Sequence, residues 1–295
     1  MTSAIWHELE RDGTRLWCRD HGGAGPPVML LHGLAGYARE WDETASWLSE
    51  TCRVVATEQR GHGRSERRPA DVSRSAFVDD AAAWLQRLDL APATVVGQSL
   101  GGHTALLLAA RHPELVRALV VAEATPDPFP DAPTSVGEWF DTWPVPFAST
   151  EDAQAFFGGD TVRARTWAAG LERRDGGLWP AFDPDVMLDA LAHAGATDCW
   201  DDWRRIACPV LVVRAAGPDG RDAYERMAAA NPSARLVEIE DAGHDVHLDQ
   251  PSAWRVAIEP FVVGSNPTAS HSSYTSATNS ESACAAPRTE RIATP

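Results

Sequence analysis

The segment TVVGQSLGG, residues 94–102, decides the fold. An apolar β-branched run meets a Gly-x-Ser-x-Gly pattern, and an apolar helical pattern follows, which predicts a strand, a sharp turn and a helix. Such a turn strains the backbone of Ser99 and lifts its hydroxyl above the sheet, and Gly97 and Gly101 supply the small residues that it needs. We predict that Ser99 is a nucleophile and that the N–H of Leu100, at the positive end of the helix dipole, stabilises an oxyanion.

The rest of the chain repeats this alternation of strands and helices. Apolar runs that predict buried strands occupy residues 28–31, 54–57, 94–96, 118–122, 209–213 and 235–239. Helical patterns occupy residues 37–48, 75–88, 101–111, 224–230 and 252–262. Near-continuous β-branched runs indicate a parallel sheet covered on both faces, and the alternation predicts an α/β fold.

Composition excludes several classes of protein. The 295 residues are 44% hydrophobic and 23% charged, which is typical of a globular protein. A formal net charge of −16 repels phosphate, so nucleic acid is a poor partner, and no apolar run is long enough for a membrane span. Charged residues near the start argue against a secretory signal, and five scattered cysteines suggest neither disulfides nor a zinc site. These features predict a cytoplasmic protein.

The alternation breaks in the middle of the chain and stops near its end. Residues 126–206 open with four prolines and contain six of the twelve tryptophans, and we predict that they form an inserted, mainly helical cap. The core of alternating strands and helices would then comprise residues 1–125 and 207–263. Residues 264–295 are rich in Ser, Thr, Ala and Asn, which predicts a disordered low-complexity tail.

Two loops complete a site for nucleophilic catalysis. His244 follows the last predicted strand in the segment DAGHDVH, where a general base suits it; His247 is its nearby competitor but falls in a helical turn, as a packing residue would. The segment HGLAG follows the first predicted strand, and the N–H of Leu34 is the expected second oxyanion donor. His32 in the same loop is interpreted as a structural residue that orders the loop by hydrogen bonds.

Taken together, the HG pair at 32–33, the RGHGRS loop at 60–65, the turn around Ser99 and the GH pair at 243–244 resemble the α/β-hydrolase superfamily. The resemblance spans roughly residues 5–263. It implies a mostly parallel sheet flanked by helices with a helical cap, and a triad in the chain order serine, acid, histidine. A serine at the turn argues against the members that use an aspartate nucleophile, such as haloalkane dehalogenases and epoxide hydrolases.

Two carboxylates compete for the role of the triad acid. The commoner position in the family follows the next-to-last strand, where this chain has Asp219 in a degraded pattern, RAAGPDG. The rarer position is the end of the preceding strand, where Glu123 is similar to the acid of zearalenone lactonases and some dehalogenases. We favour Glu123 and keep Asp219 as the alternative.

The expected function is a serine hydrolase, esterase-like or lactonase-like, that cleaves a carboxylic ester or lactone of a hydrophobic small molecule through an acyl-enzyme. Aromatic residues across the cap predict an apolar pocket. No cofactor and no metal are required. The alternatives are a carbon–carbon bond hydrolase or lyase on the same fold and a non-catalytic small-molecule receptor; the sequence specifies neither the substrate nor the oligomeric state.

Overall fold

A nine-stranded sheet forms the centre of what the computed structural model describes, residues 4–218, 220–264 and 289–292. Its strands are β1 (Ile5–Arg11), β2 (Thr14–Gly22), β3 (Pro27–Leu31), β4 (Arg53–Glu58), β5 (Ala93–Gln98), β6 (Val116–Ala122), β9 (Val210–Ala215), β10 (Ala234–Ile239) and β11 (Thr289–Ile292). They lie in the order β1-β2-β4-β3-β5-β6-β9-β10-β11. All neighbours from β4 to β11 are parallel, and only β1–β2 and β2–β4 are antiparallel.

The six predicted strands correspond to β3, β4, β5, β6, β9 and β10, whereas the sequence patterns missed the hairpin of β1 and β2. This hairpin lies at the sheet edge and its strands carry many polar residues, so no apolar run marks it. Its turn has Asp12 at φ 49° and Gly13 at φ 72°. Positive φ at both turn residues is the type I′ geometry that Asp-Gly favours.

Helices cover both faces of the sheet, which confirms the predicted α/β class. One face packs against α2 (Arg74–Arg87), α3 (Leu100–Arg111), α8 (Trp200–Arg205) and α9 (Arg221–Ala230), and the other against α1 (Asp42–Leu48), α10 (Val246–Asp249) and α11 (Pro251–Gly264). Along β5, Val95 faces the first layer and Val96 the second, as strand alternation requires. Among the described helices, none is both long and apolar enough to cross a membrane.

Between β6 and α8 the chain leaves the sheet and forms an insertion. It contains α4 (Ala132–Asp141), α5 (Thr150–Phe156), α6 (Val162–Ala169), the hairpin of β7 (Glu172–Arg174) and β8 (Gly177–Trp179), and α7 (Pro184–Gly195). Its buried residues form a third apolar cluster with Ala35, in the loop after β3, and Leu100, at the start of α3. Helix α8 falls within the predicted cap limits of residues 126–206. Its Trp203, however, is fully buried in the apolar cluster between the sheet and the helices of its first face.

Arg67 fastens the insertion to the loop that follows β4. Its guanidinium forms ion pairs with Asp183 at 2.6 Å and Glu172 at 2.7 Å. The same group donates to the carbonyl oxygens of Pro180 at 2.7 Å and Phe182 at 2.8 Å. One side chain therefore holds four points of the insertion over the carboxyl ends of the strands.

The predicted disordered tail needs a correction in one place. Residues 265–288 and 293–295 lie outside the described residues, but Thr289–Ile292 forms β11, which pairs in parallel with β10 from Leu236 to Ile239. An uncovered edge strand presents unpaired N–H and C=O groups that any short extended segment can satisfy. Low apolar content did not prevent this pairing because it uses backbone groups.

Candidate active site

Ser99 occupies the sharp turn between β5 and α3. Its backbone has φ 51° and ψ −119°, a strained conformation for a residue other than glycine, and its N–H donates to the carbonyl oxygen of Ala122 at 2.8 Å. A Cβ atom on Gly97 would lie 2.2 Å from the carbonyl oxygen of Gly101, and one on Gly101 would lie 2.2 Å from that of Leu31. The two glycines are therefore required by the close approach of the backbone.

His244 and Glu123 lie beside this serine. The Nε2 atom of His244, on the loop between β10 and α10, is 2.9 Å from the Ser99 hydroxyl oxygen. Its Nδ1 atom is 3.4 Å from Oε2 of Glu123, and Oε1 of Glu123 accepts a hydrogen bond of 2.6 Å from the N–H of Ala215. Hydroxyl, imidazole and carboxylate form a continuous chain in the order that proton transfer from the serine needs.

The structure describes one of the two candidate acids. Glu123 directly follows β6, and its φ of 52° turns the side chain out of the strand toward the histidine loop. Asp219, the alternative, lies outside the described residues. The structure thus brings Glu123 together with His244, while the assignment of the acid remains a prediction.

Burial and the neighbouring carboxylates have opposite effects on the pKa of His244. Desolvation lowers the pKa, but the hydrogen bond and the charge of Glu123, with the charges of Asp245 and Asp249, outweigh it and raise the pKa above its usual 6.5. A stabilised imidazolium is what a general base needs after it takes the serine proton.

The predicted oxyanion donors, Leu34 and Leu100, both line the cavity above Ser99. Leu100 is the first residue of α3, so its N–H has no partner within the helix. In the loop after β3, the N–H of Ala35 donates to His62 Nε2 at 3.1 Å and that of Gly36 to the Gly33 carbonyl at 3.2 Å. Among the described hydrogen bonds, none uses the N–H of Leu34 or Leu100.

Two buried histidines order the loop that carries Leu34. Nδ1 of His32 donates to the Gly33 carbonyl at 2.8 Å, and its Nε2 accepts from the N–H of Gln59 at 3.0 Å. Burial lowers the pKa of His32 well below its usual value and that of His62 to about 4. Both rings are therefore neutral at pH 7, and His32 has the structural place that the sequence predicted.

His247 lies away from the serine. It is buried in α10, stacks on Trp41 with ring centroids 4.2 Å apart, and places Nε2 3.4 Å from Oε1 of the buried Glu40. The same Glu40 accepts from the N–H of Tyr37 at 3.2 Å. His247 thus packs the histidine loop against the loop of Leu34, as expected of a packing residue.

A cavity of about 700 Å³ opens above the serine, between the sheet and the insertion. Five aromatic side chains of the predicted cap line it: Phe129, Trp139, Phe156, Phe157 and Trp167. Of the remaining aromatic residues in the predicted cap, Phe140, Trp143, Phe147 and Phe182 belong to the insertion's own apolar cluster. The cavity is wide enough for a drug-sized molecule and mostly apolar.

Sequence patterns missed several polar residues of this cavity. Gln98 donates from Nε2 to the carbonyl oxygen of His244 at 2.8 Å and so fixes the histidine loop. Asp245 accepts from the Trp167 indole N–H at 2.9 Å, and Arg163 and Tyr224 also line the walls. Gln98 could have been found from its place inside the serine motif, but the other three carry no local signal.

Within the described ranges, no group of three or more His, Cys, Asp or Glu side chains could hold a metal ion. That no cofactor or metal is needed stays a prediction.

A mostly parallel sheet with a serine at a strained strand–helix turn and a histidine after the last long strand defines an α/β hydrolase. The chain belongs to the alpha/beta hydrolase family, whose model matches residues 28–258. This match confirms the family resemblance of the sequence motifs.

Several similar proteins are named as hydrolases of particular small molecules. The 2-(acetamidomethylene)succinate hydrolase of Mesorhizobium japonicum is 26% identical over 249 residues, 81% of this chain and 89% of that protein. A solved E-2-(acetamidomethylene)succinate hydrolase superposes with a TM-score of 0.81 and 25% identity, covering 88% of this chain and 99% of that one. The 2-hydroxymuconate semialdehyde hydrolase of Pseudomonas sp. CF600 is 40% identical over 134 residues, 43% of this chain and 46% of that protein.

Proposed function

We propose that this hydrolase cleaves a carboxylic ester or lactone of a hydrophobic small molecule through an acyl-enzyme on Ser99. The observation that carries the proposal is the 2.9 Å contact between the Ser99 hydroxyl and Nε2 of His244. A serine hydroxyl is a weak nucleophile unless a base takes its proton as it attacks. Here the base is already in hydrogen-bond contact.

In the acylation step the Ser99 oxygen attacks the substrate carbonyl and its proton passes to His244. The resulting imidazolium donates from Nδ1 to Glu123, whose other oxygen is held by the Ala215 N–H. The N–H groups of Leu34 and Leu100 stabilise the oxyanion. His244 then gives its proton to the leaving alkoxide as the carbon–oxygen bond of the ester breaks.

In the deacylation step water replaces the leaving group in the cavity. His244 takes a proton from the water as the new carbon–oxygen bond forms, and it returns a proton to Ser99 as the acyl-enzyme bond breaks. The products are a carboxylic acid and a regenerated serine. For a lactone the leaving alkoxide stays joined to the acyl group, and one hydroxy acid is released.

Support for a hydrophobic substrate comes from the insertion. We propose that it acts as a cap, because it supplies Trp139, Phe156, Phe157 and Trp167 to the walls of the cavity. Apolar walls bind an apolar acyl or alcohol part and leave the few polar groups to orient the carbonyl.

The second candidate is hydrolysis of a carbon–carbon bond. The observation that favours it is the 40% identity over 134 residues to a 2-hydroxymuconate semialdehyde hydrolase. Serine and histidine would serve that reaction in altered roles, and the choice of substrate in the test separates the two candidates.

The test compares 4-nitrophenyl butyrate, an aliphatic lactone and a vinylogous 1,5-diketone as substrates of the wild type and Ser99→Ala. Ester or lactone turnover, with an acyl group found on Ser99 by mass spectrometry after acid quenching, is the expected result. Cleavage of the diketone with no ester turnover would establish the second candidate. Tight binding of these compounds without any product would instead indicate a receptor.

A further inference from the structure

One permanently charged cation lies in the wall of the cavity. Arg163 is the one arginine among the described residues that line it, and the sequence contains no lysine. It stands in the first turn of α6, one helical turn before Trp167, so both side chains project from the same face of the helix. The cation therefore reaches the cavity beside an aromatic wall.

The partners of Arg163 leave most of its donors unused. Its Nε atom is 3.3 Å from Oδ1 of Asp249 and has no hydrogen bond of acceptable geometry within the described chain. The side chain is 40% exposed, and none of the described hydrogen bonds uses its two terminal nitrogens. By contrast, the terminal nitrogens of Arg67 are committed to an ion pair and two carbonyl oxygens.

The anions around the cavity are already engaged. Glu123 accepts from Ala215 and faces His244. Asp245 accepts from the Trp167 indole, and Asp249 accepts from the N–H of Gly243 at 2.9 Å through its other oxygen, Oδ2. A guanidinium fork beside them matches the two oxygens of a carboxylate, and such bidentate pairs are among the strongest charged hydrogen bonds.

We propose that Arg163 binds a carboxylate of the substrate, so that the preferred ester or lactone is a monoanion with an apolar middle. This inference rests on the proposed function, since it names the substrate class of the same site. The apolar middle contacts the aromatic walls, the carbonyl reaches Ser99, and the carboxylate pairs with the free terminal nitrogens of Arg163. Asp249 keeps the guanidinium in place from its Nε side.

The kinetic test uses pairs of 4-nitrophenyl esters with equal acyl lengths, one ending in a methyl group and one in a carboxylate, from five to eight carbons. Charge-assisted hydrogen bonds of this kind predict a preference of about 30-fold in kcat/KM for the best carboxylate ester over its neutral partner. Arg163→Gln should remove that preference by raising the KM of the carboxylate ester.

The matched control is Arg165→Gln. Arg165 is on the same helix, is exposed, pairs with Asp160 and does not line the cavity. It should keep the full preference. Equal kcat/KM values for neutral and carboxylate esters in the wild type, or an unchanged preference in Arg163→Gln, would overturn the inference while leaving the serine mechanism intact.

A binding measurement keeps the inference testable if no ester is turned over. Adipic acid monoanilide and hexananilide are titrated against Ser99→Ala, with quenching of tryptophan fluorescence as the readout, because Trp139 and Trp167 line the cavity. About 30-fold tighter binding of the anion, lost in Ser99→Ala/Arg163→Gln, supports the inference. Equal binding of the two anilides contradicts it whatever the outcome of the ester assays.

Discussion

Replacing Glu123 should slow the reaction by an amount that depends on the replacement. His244 Nδ1 and Glu123 Oε2 are 3.4 Å apart. Unit charges at that distance interact by about 1.2 kcal/mol in water and about 5 kcal/mol at an effective dielectric constant of 20. The His244 side chain is 61% exposed, so solvent screens the pair. We take about 2 to 3 kcal/mol, which predicts that Glu123→Ala lowers kcat roughly 30- to 160-fold.

Glu123→Gln should lower kcat more than Glu123→Ala does. The Ala215 N–H donates to Oε1 of Glu123, so a glutamine would keep its amide oxygen there and turn its NH₂ group toward His244. That donor stabilises the tautomer with Nδ1 unprotonated and Nε2 protonated, which cannot accept the proton of Ser99. A wrong tautomer costs about 10⁴ in other triads, and we expect a loss of about 10³ to 10⁴ here.

The assay is steady-state hydrolysis of 4-nitrophenyl butyrate, with circular dichroism to establish that each variant is folded. Asp219→Asn is the matched control, because Asp219 is the alternative acid; it should stay within about threefold of the wild type. A Glu123→Gln variant as active as the wild type, or more active than Glu123→Ala, would show that Glu123 does not set the tautomer of His244. A large loss in Asp219→Asn alone would move the acid to that position.

Three further outcomes follow from other contacts. The kcat/KM of the wild type should fall as the pH drops below the pKa of His244, which lies above 6.5, because protonated His244 cannot act as a base. Glu123→Ala removes a negative charge that raises this pKa, so the fall in kcat/KM should move to lower pH. Gly101→Ala should cost about 3 kcal/mol or more in the free energy of unfolding, since its Cβ would lie 2.2 Å from a backbone oxygen. Arg67→Met should cost about 2 to 3 kcal/mol through its lost contacts with the insertion, read from urea midpoints.

A different result would contradict each of these three predictions. A limb that shifts to higher pH in Glu123→Ala would mean that Glu123 does not raise the pKa of the base. Gly137→Ala, in α4, is the control for Gly101→Ala, because a Cβ at Gly137 would meet only the Leu188 side chain, at 3.4 Å. It should stabilise the fold by about 0.5 to 1 kcal/mol. Equal midpoints for Arg67→Met and the wild type would show that the insertion is held by its apolar contacts alone.

The sequence predicted what is determined by local geometry or by long apolar runs. The turn around Ser99 needs small residues at fixed positions, so it is visible as a pattern, and buried parallel strands are visible as continuous β-branched runs. His244 was found because it follows the last long run. The acid was harder, since the sequence favoured Glu123 over Asp219 only by its position relative to the family pattern. Its 3.4 Å distance to His244 depends on how β6, β9 and β10 are aligned.

Other features depend on packing that no local pattern encodes. The hairpin of β1 and β2 has mixed polarity, and its Asp-Gly turn was the one usable signal. Strand β11 forms through backbone groups at a free sheet edge. Arg163 is one of 26 arginines, and its place in the cavity follows only from how α6 lies against the histidine loop. Tertiary contacts, not propensities, decide all three.

The role of Ser99 is tested most directly by labelling the purified protein with a fluorophosphonate probe and mapping the modified residue by mass spectrometry. An activated Ser99 predicts one adduct, on Ser99, that is absent in Ser99→Ala and forms much more slowly in Glu123→Gln. Labelling is a reaction of the activated hydroxyl itself, so it does not depend on knowing the substrate. A wild-type protein that is folded and stays unlabelled at Ser99 would contradict the proposed nucleophile.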